Sequence, residues 1–356
     1  MNKFLSPLPL ALLAAGAFAQ SQAIYPSDYV NVPEGPFNSP NLPLARGTSR
    51  VLCLYEDIDL DIPNGDQITS IGFREDATIT TMDSGTALQL EVRMGWTTED
   101  HVSMSTNFDN NYAAPPVTVF GPALFTLPNL RDPGSPLTDG KFFIDLTTPF
   151  AYTPNGRNLL VEYRVFGTAQ GGSSFNYRLD RADFYSPVTY GPAGCTHPAG
   201  GPPNLTLQPT RPGFNFQANI SAAPANAPAF LAINLGNSLA TPYPLGIVFA
   251  GVAPSCTGQM NPSGIALLGG VTNNGGAANW SFFIPNDNTW GKFTISSQAV
   301  FLDFFAPGQV VSSNGGEVLT GIRPRTSIIA NNGAPTVLTT GSKSQWYCPV
   351  AFFKHQ

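Results

Sequence analysis

Short runs of alternating apolar and polar residues, each closed by a turn, recur through the first half of the chain. Leu88, Leu90, Val92, Met94 and Trp96 alternate with Gln89, Glu91, Arg93 and Gly95. Successive side chains of an extended strand face opposite ways, so this period of two fits a half-buried strand and not a helix. The same rhythm runs through Phe142–Leu146, Leu159–Val165 and Phe175–Leu179. Shorter strands are expected at Val51–Tyr55, Ile68–Phe73 and Val117–Phe120. Asn64-Gly65, Asp83-Ser84-Gly85, Asp139-Gly140 and Asn155-Gly156 punctuate them. Asn-Gly and Asp-Gly suit hairpins whose turn residues need positive φ. The 35 glycines and 34 prolines, with no helical stripe of period 3.6, exclude a helical bundle. The expected class is all-β, built of sandwich or jelly-roll layers.

Charge divides the chain. Only 11% of residues are charged, against about 25% in an ordinary domain. From Gln20 to Gly194 acids outnumber bases two to one, whereas Cys195–Thr320 holds only Arg211, Asp287, Lys292, Asp303 and Glu317. This shift, with the Gly- and Pro-rich stretch Tyr190–Pro203, predicts a boundary. An acidic β-sandwich or jelly-roll-like domain is expected over 24–190 and a neutral, Ig-like β-sandwich over 195–320. Strands of the second are expected at Asn204–Gln208, Phe214–Ile220, Ala229–Leu235, Gly246–Phe249, Gly264–Gly269, Ala277–Ile284 and Phe293–Phe305. The last is apolar on both faces and should lie centrally. Residues 321–356 form an extension expected to pack on the first domain. The net charge of −6 argues against nucleic-acid binding, which needs a basic face.

Residues 1–19 read as a cleaved secretory signal: Lys3, an apolar run, then Ala17-Phe18-Ala19, with Ala23 as a second cleavage choice. No later run reaches the roughly 18 apolar residues of a membrane span. A secreted or cell-surface location is expected, which permits disulfides. Cys53, Cys195, Cys256 and Cys348 allow three pairings. Cys195–Cys256 is favoured because both lie in the second half, and Cys53–Cys348 would then tie the tail to the first domain; four buried thiols are the alternative.

The second half resembles a domain near the C-terminus of secreted proteins of planctomycete-type bacteria. The resemblance rests on Gly194-Cys195, Ala222–Ala229, Pro244-Leu245-Gly246, Cys256 with Asn261-Pro262-Ser263, Trp280–Asp287, Gln298–Asp303 and Ser312-Ser313-Asn314. The first half is similar to a partner domain in such proteins, through Ile71–Asp76, Leu90–Arg93 and Pro149–Glu162. The resemblance implies secreted, modular, β-rich proteins of unassigned role and carries over no catalytic residue. Such domains end soon after the Ser-Asn element, so the longer tail here, with Trp346 and Cys348, points back to the first domain.

Enzyme motifs are missing. There is no Gly-x-Ser-x-Gly elbow, phosphate-binding loop or His-Glu-x-x-His. Cys195-Thr-His197 lacks a second ligand cluster for a metal and reads better as a disulfide beside a loop histidine. Asp57, Asp59 and Asp61 alternate with Ile58, Leu60 and Ile62, a spacing that offers hard oxygens to calcium; the competing reading is an edge strand with its carboxylates in water. No other cofactor is expected. Tyr112, Trp290 and Trp346 lie in loop-like stretches and are candidate ligand-stacking residues, whereas Trp96 and Trp280 are expected in the core. The leading expectation is a structural or adhesive protein meeting cell-surface components or neutral glycans. A carbohydrate-binding module is the first alternative. A hydrolase such as a glycosidase is the second, and would need a cleft with two carboxylates about 5–10 Å apart.

Overall fold

The structure, a computed structural model, describes residues 20–30, 38–39, 41–76, 82–129, 141–182, 188–198, 200–248, 250–253, 255–306 and 309–356. The expected signal segment and the Asp139-Gly140 turn lie outside them. Among the described residues the chain is all-β, and its helical segments are single 3₁₀ turns. In chain order come β1 (Ser21–Tyr25), β2 (Asn38–Ser39), β3 (Ser49–Tyr55), β4 (Gln67–Arg74), β5 (Ala87–Thr97), β6 (Val117–Thr126), β7 (Lys141–Ala151), β8 (Asn158–Thr168) and β9 (Leu179–Asp180). Next are β10 (Thr189–Tyr190), β11 (Asn204–Leu207), β12 (Asn215–Ser221), β13 (Pro228–Leu235), β14 (Tyr243–Pro244), β15 (Thr257–Gly258), β16 (Ile265–Val271), β17 (Ala278–Phe283), β18 (Thr294–Leu302) and β19 (Val310–Leu319). The tail adds β20 (Thr326–Asn332), β21 (Ser342–Gln345) and β22 (Ala351–His355).

Two sheets enclose the first core: β1-β22-β4-β7 and β21-β20-β3-β8-β5-β6, all antiparallel. Alternation supplies it, since Leu88, Leu90, Val92 and Met94 of β5 all point inward. Aromatic rings knit the layers, with Tyr55 against Phe353 at 5.2 Å and Phe73 against Tyr163 at 5.8 Å. Strand β3 is buried on both faces. Leu52 and Leu54 form a smaller cluster with Leu160, Ile329, Met104 and Phe108 on the far side of its sheet. Asn155 and Gly156 both have positive φ, 50° and 76°, as the Asn-Gly turn requires.

The tail does more than pack on these sheets. β20 pairs with β3, and β22 lies between β1 and β4. Ser21 opposes His355, so the first and last strands run side by side. Gln67 and Gln356 exchange backbone hydrogen bonds, and His355 Nδ1 lies 2.7 Å from Asp66 Oδ2.

A second core lies between the β10-β19-β18-β13-β16 sheet and the β11-β12-β17 sheet. β18, expected to be central, is the middle strand of five. It ends at Leu302, short of the expected Phe305; in the expected Gly246–Phe249 strand, Leu245–Ile247 form a 3₁₀ turn instead, and Phe249 lies outside the described residues. Trp280 and Ile284 enter this core as expected, and Trp96 packs half-buried on Phe150 and Tyr152 in the first.

The Tyr190–Pro203 stretch is not a free linker. Cys195 is bonded to Cys256, and its N–H donates to Ser312 O at 3.2 Å. Beside it, a Cβ on Gly194 would stand 1.9 Å from that same oxygen, so only glycine fits. The expected Cys53–Cys348 bridge is absent, and both are buried thiols. β8 and β20 lock the backbone of Cys53 from both sides, and Ala182 N–H bonds Cys348 O at 3.0 Å. The two thiols serve as core atoms. Burial pushes Cys53 up to about 12 and Cys348 well above its usual value.

Candidate functional site

Three places gather polar or aromatic side chains. The first is the outer face of the six-stranded sheet. Register sets Arg50 opposite Arg164, Arg164 opposite Glu91, and Arg93 opposite Glu162, so arginines and glutamates gather on one face of β3, β8 and β5. Arg50 Nε donates to Glu162 Oε1 at 2.7 Å, and Arg164 also donates to Glu162. Arg50 further binds Leu338 O at 2.7 Å and Asp109 Oδ1 at 2.5 Å, with its guanidinium 4.5 Å from the centre of the Phe108 ring. Burial alone would push Glu162 up. Arg50 and Arg164 outweigh it and hold the carboxyl below its usual range. A carboxylate pinned in its charged form cannot serve as a general acid. Candidate residue Tyr112 belongs here: its ring lies over Gly95 and its hydroxyl donates to Glu162 Oε2 at 2.8 Å. This face is a lock holding the 104–112 loop on the sheet.

The second place is where the two groups of sheets meet. His101 Nδ1 lies 2.5 Å from Glu56 Oε1, which also accepts the His101 N–H at 3.0 Å. The imidazole packs edge-on to Trp346 at 4.0 Å. Arg323 lies over the other two rings of the stack, 4.6 Å from Trp346 and 5.5 Å from Phe214. Candidate residue Trp346 therefore contacts both a histidine and an arginine. Among the described residues His101 Nε2 has no hydrogen-bond partner, and the nearby Ser327 hydroxyl donates to the His101 carbonyl, not to the ring. A base–carboxylate pair is present without a nucleophile bonded to it.

Close by, Asp28, Asp59, Lys292, Arg323 and Arg325 line a cleft of about 190 Å³. Lys292 Nζ bonds Asp28 Oδ1 at 2.6 Å. Burial raises the Asp59 carboxyl, with Arg325 opposing. Two carboxylates, Asp28 and Asp59, line this cleft, but its volume falls below the ~300 Å³ at which small-molecule pockets begin.

The calcium candidates are not brought together. Asp57–Asp59 form a 3₁₀ turn rather than a strand. Asp57 accepts the Tyr152 hydroxyl, Asp59 faces the cleft, and Asp61 is exposed. Among the described residues no three acidic, His or Cys side chains form a metal-sized group.

The third place is a groove of about 580 Å³ beside the second core. His197, Pro198, Pro224, Asn226, Pro228, Leu302, Asp303, Phe304 and Phe305 line it. Asp303 Oδ1 accepts the Phe305 N–H at 3.0 Å, and Ala306 N–H returns to Asp303 O at 3.0 Å. That tight turn throws both rings outward, leaving Phe304 68% and Phe305 87% exposed. His197 Nε2 donates to Ala222 O at 3.1 Å, which places a histidine beside the disulfide as the sequence suggested. Reading 293–305 as one strand hid these phenylalanines. The signal for a turn was Asp303 interrupting the apolar run, followed by Ala306-Pro307-Gly308. Candidate residue Trp290 lies elsewhere, half-buried against Phe293 at 5.3 Å. Tyr112, Trp290 and Trp346 thus do not converge on one surface.

No helix among the described residues is long and apolar enough to cross a membrane. No protein-family model matches the chain, and no curated protein matches it.

Proposed function

We propose that the chain is a secreted structural or adhesive protein of two domains, an acidic base and an almost uncharged module inserted into it. The observation that carries this reading is the return of the tail. β20 and β22 complete the same two sheets that β1 and β3–β8 begin, so the strands from β10 to β19 form an insertion held at both ends. Between Arg211 and Asp287 the insertion has no Asp, Glu, Lys or Arg. A neutral surface on a rigid base suits contact with other neutral surfaces better than steering of charged ligands. The Cys195–Cys256 disulfide and the resemblance to secreted modular proteins support the same reading. Beads coated with the folded chain should adhere to washed bacterial cells or envelopes. Coated beads that bind no more than albumin-coated ones would overturn the proposal.

Binding of neutral glycans is the second reading, favoured by Phe304 and Phe305 over the groove. Exposed rings beside Asn226 and Asp303 offer both a stacking surface and hydrogen-bonding groups. A glycan array run with and without calcium tests it. Binding that drops at least tenfold in the Phe304→Ala/Phe305→Ala double variant supports it, and an array without hits removes it.

A further inference from the structure

Sheet edges are where β proteins recruit further strands, and four of the six edge strands in the three larger sheets are guarded. β6 carries Pro122 and two register shifts, and β7 carries Lys141, Asp145 and Pro149. β21 is four residues long with Lys343, and β10 is two residues. Charges, proline, bulges and brevity are the usual guards against edge-to-edge pairing.

β16 has none of these guards. It is Ile-Ala-Leu-Leu-Gly-Gly-Val, seven residues without a charge or proline, at the edge of the five-stranded sheet. Its partner β13 lies on one side only. Thr272 N–H bonds Ala227 O on that side. Alternation then turns the N–H and C=O groups of Ile265, Leu267, Gly269 and Val271 away from β13. Trp280 Nε1 reaches Gly269 O at 3.3 Å, covering one end of the strand and leaving the Ile265–Leu267 end open. Apolar side chains flank the open edge: Leu267 is 64% exposed and Val271 66%, with exposed Phe230 on the same face in β13.

We infer that β16 is a homotypic docking edge, pairing antiparallel with β16 of a second copy about a two-fold axis near Leu267. Charge selects the occupant. The chain carries −6 overall, so copies repel, yet β16 sits in the uncharged stretch between Arg211 and Asp287, where two copies meet without like-charge cost. An antiparallel strand is its own complement, as a two-fold contact demands. One strand pair with its flanking side chains is a small contact, and it sets a weak, reversible association. The inference takes its purpose from the adhesive reading, since weak self-pairing is how a surface protein builds layers, but its geometry stands separately.

Sedimentation of the full chain over rising concentration, up to about 1 mM, tests it at the range of weak contacts. The wild type should show a monomer–dimer equilibrium. Leu267→Lys should weaken it at least tenfold with an unchanged melting temperature, because the side chain is exposed. Leu267→Cys, treated with a short bismaleimide, should give a covalent dimer. Val337→Cys, equally exposed but remote in sequence from β16, should not. A wild type that stays monomeric, or a dimer indifferent to Leu267→Lys, overturns the inference. So does a monomer that binds a foreign extended peptide at β16. Cell adhesion by coated beads that survives Leu267→Lys leaves the adhesive reading standing, while dimerisation without cell adhesion does the reverse.

Discussion

Glu162 is fully buried, yet two arginines and a tyrosine hydroxyl converge on it. Removing one partner of such a group strands the others in a dry site. Glu162→Gln should therefore cost about 3–5 kcal/mol at neutral pH, read from the denaturant midpoint. The sign of the pH effect follows from the depressed carboxyl. Its contribution is full above the unfolded value of about 4.3 and is lost as pH falls through the lower folded value. The wild type should thus shed stability below about pH 4 more steeply than Glu162→Gln. The cysteines give a second residue-scale outcome. Cys53 and Cys348, buried thiols with raised values, should resist iodoacetamide at pH 8 in the native chain. In denaturant without reductant, mass spectrometry should show two alkylated cysteines, and four once reductant is added. No alkylation before reduction would restore the Cys53–Cys348 bridge.

β22 shows how much an element's position matters. It is five residues long, but it sits inside a sheet, with Phe352 and Phe353 buried in the core. Phe353→Ala should cost about 3–5 kcal/mol, measured by chemical denaturation. Exposed Val337→Ala, the control, should stay within about 0.5 kcal/mol of wild type. The tail's return to the first domain was legible in the sequence, but β22 itself was not, because Ala-Phe-Phe-Lys-His is too short for a period and its partners lie near the start of the chain. β19 escaped for a different reason. Its Ser312–Gly316 segment is polar and small yet buried, packed under Cys195, Gln259 and Leu205. β5, β8 and β18 were legible because apolar residues recur along them, although polar residues such as Glu162 and Gln298 are buried there as well. The acidic run departs from the expected edge strand for a local reason: Asp57–Asp59 form a 3₁₀ turn, with Asp57 accepting the Tyr152 hydroxyl and Asp59 lining the cleft.

At the scale of the whole molecule, two cores separated along the chain should unfold separately. Calorimetry should resolve two transitions, and only one should fall on reduction, since the disulfide lies in the second core. Opening a loop with a sequence separation of 61 should cost that core about 4 kcal/mol. A single transition, or a reductant effect on both, would count against the division. The meeting of the two ends also sets a timetable. Synthesis delivers β1 before every other described strand, and its partner β22 after all of them. Every strand of the insertion is synthesised before β20 exists. The insertion is therefore complete, and free to fold, while the base still waits for its central strand. The base must close over the longest strand pairing among the described residues, Ser21 with His355, which makes it the slower of the two to form.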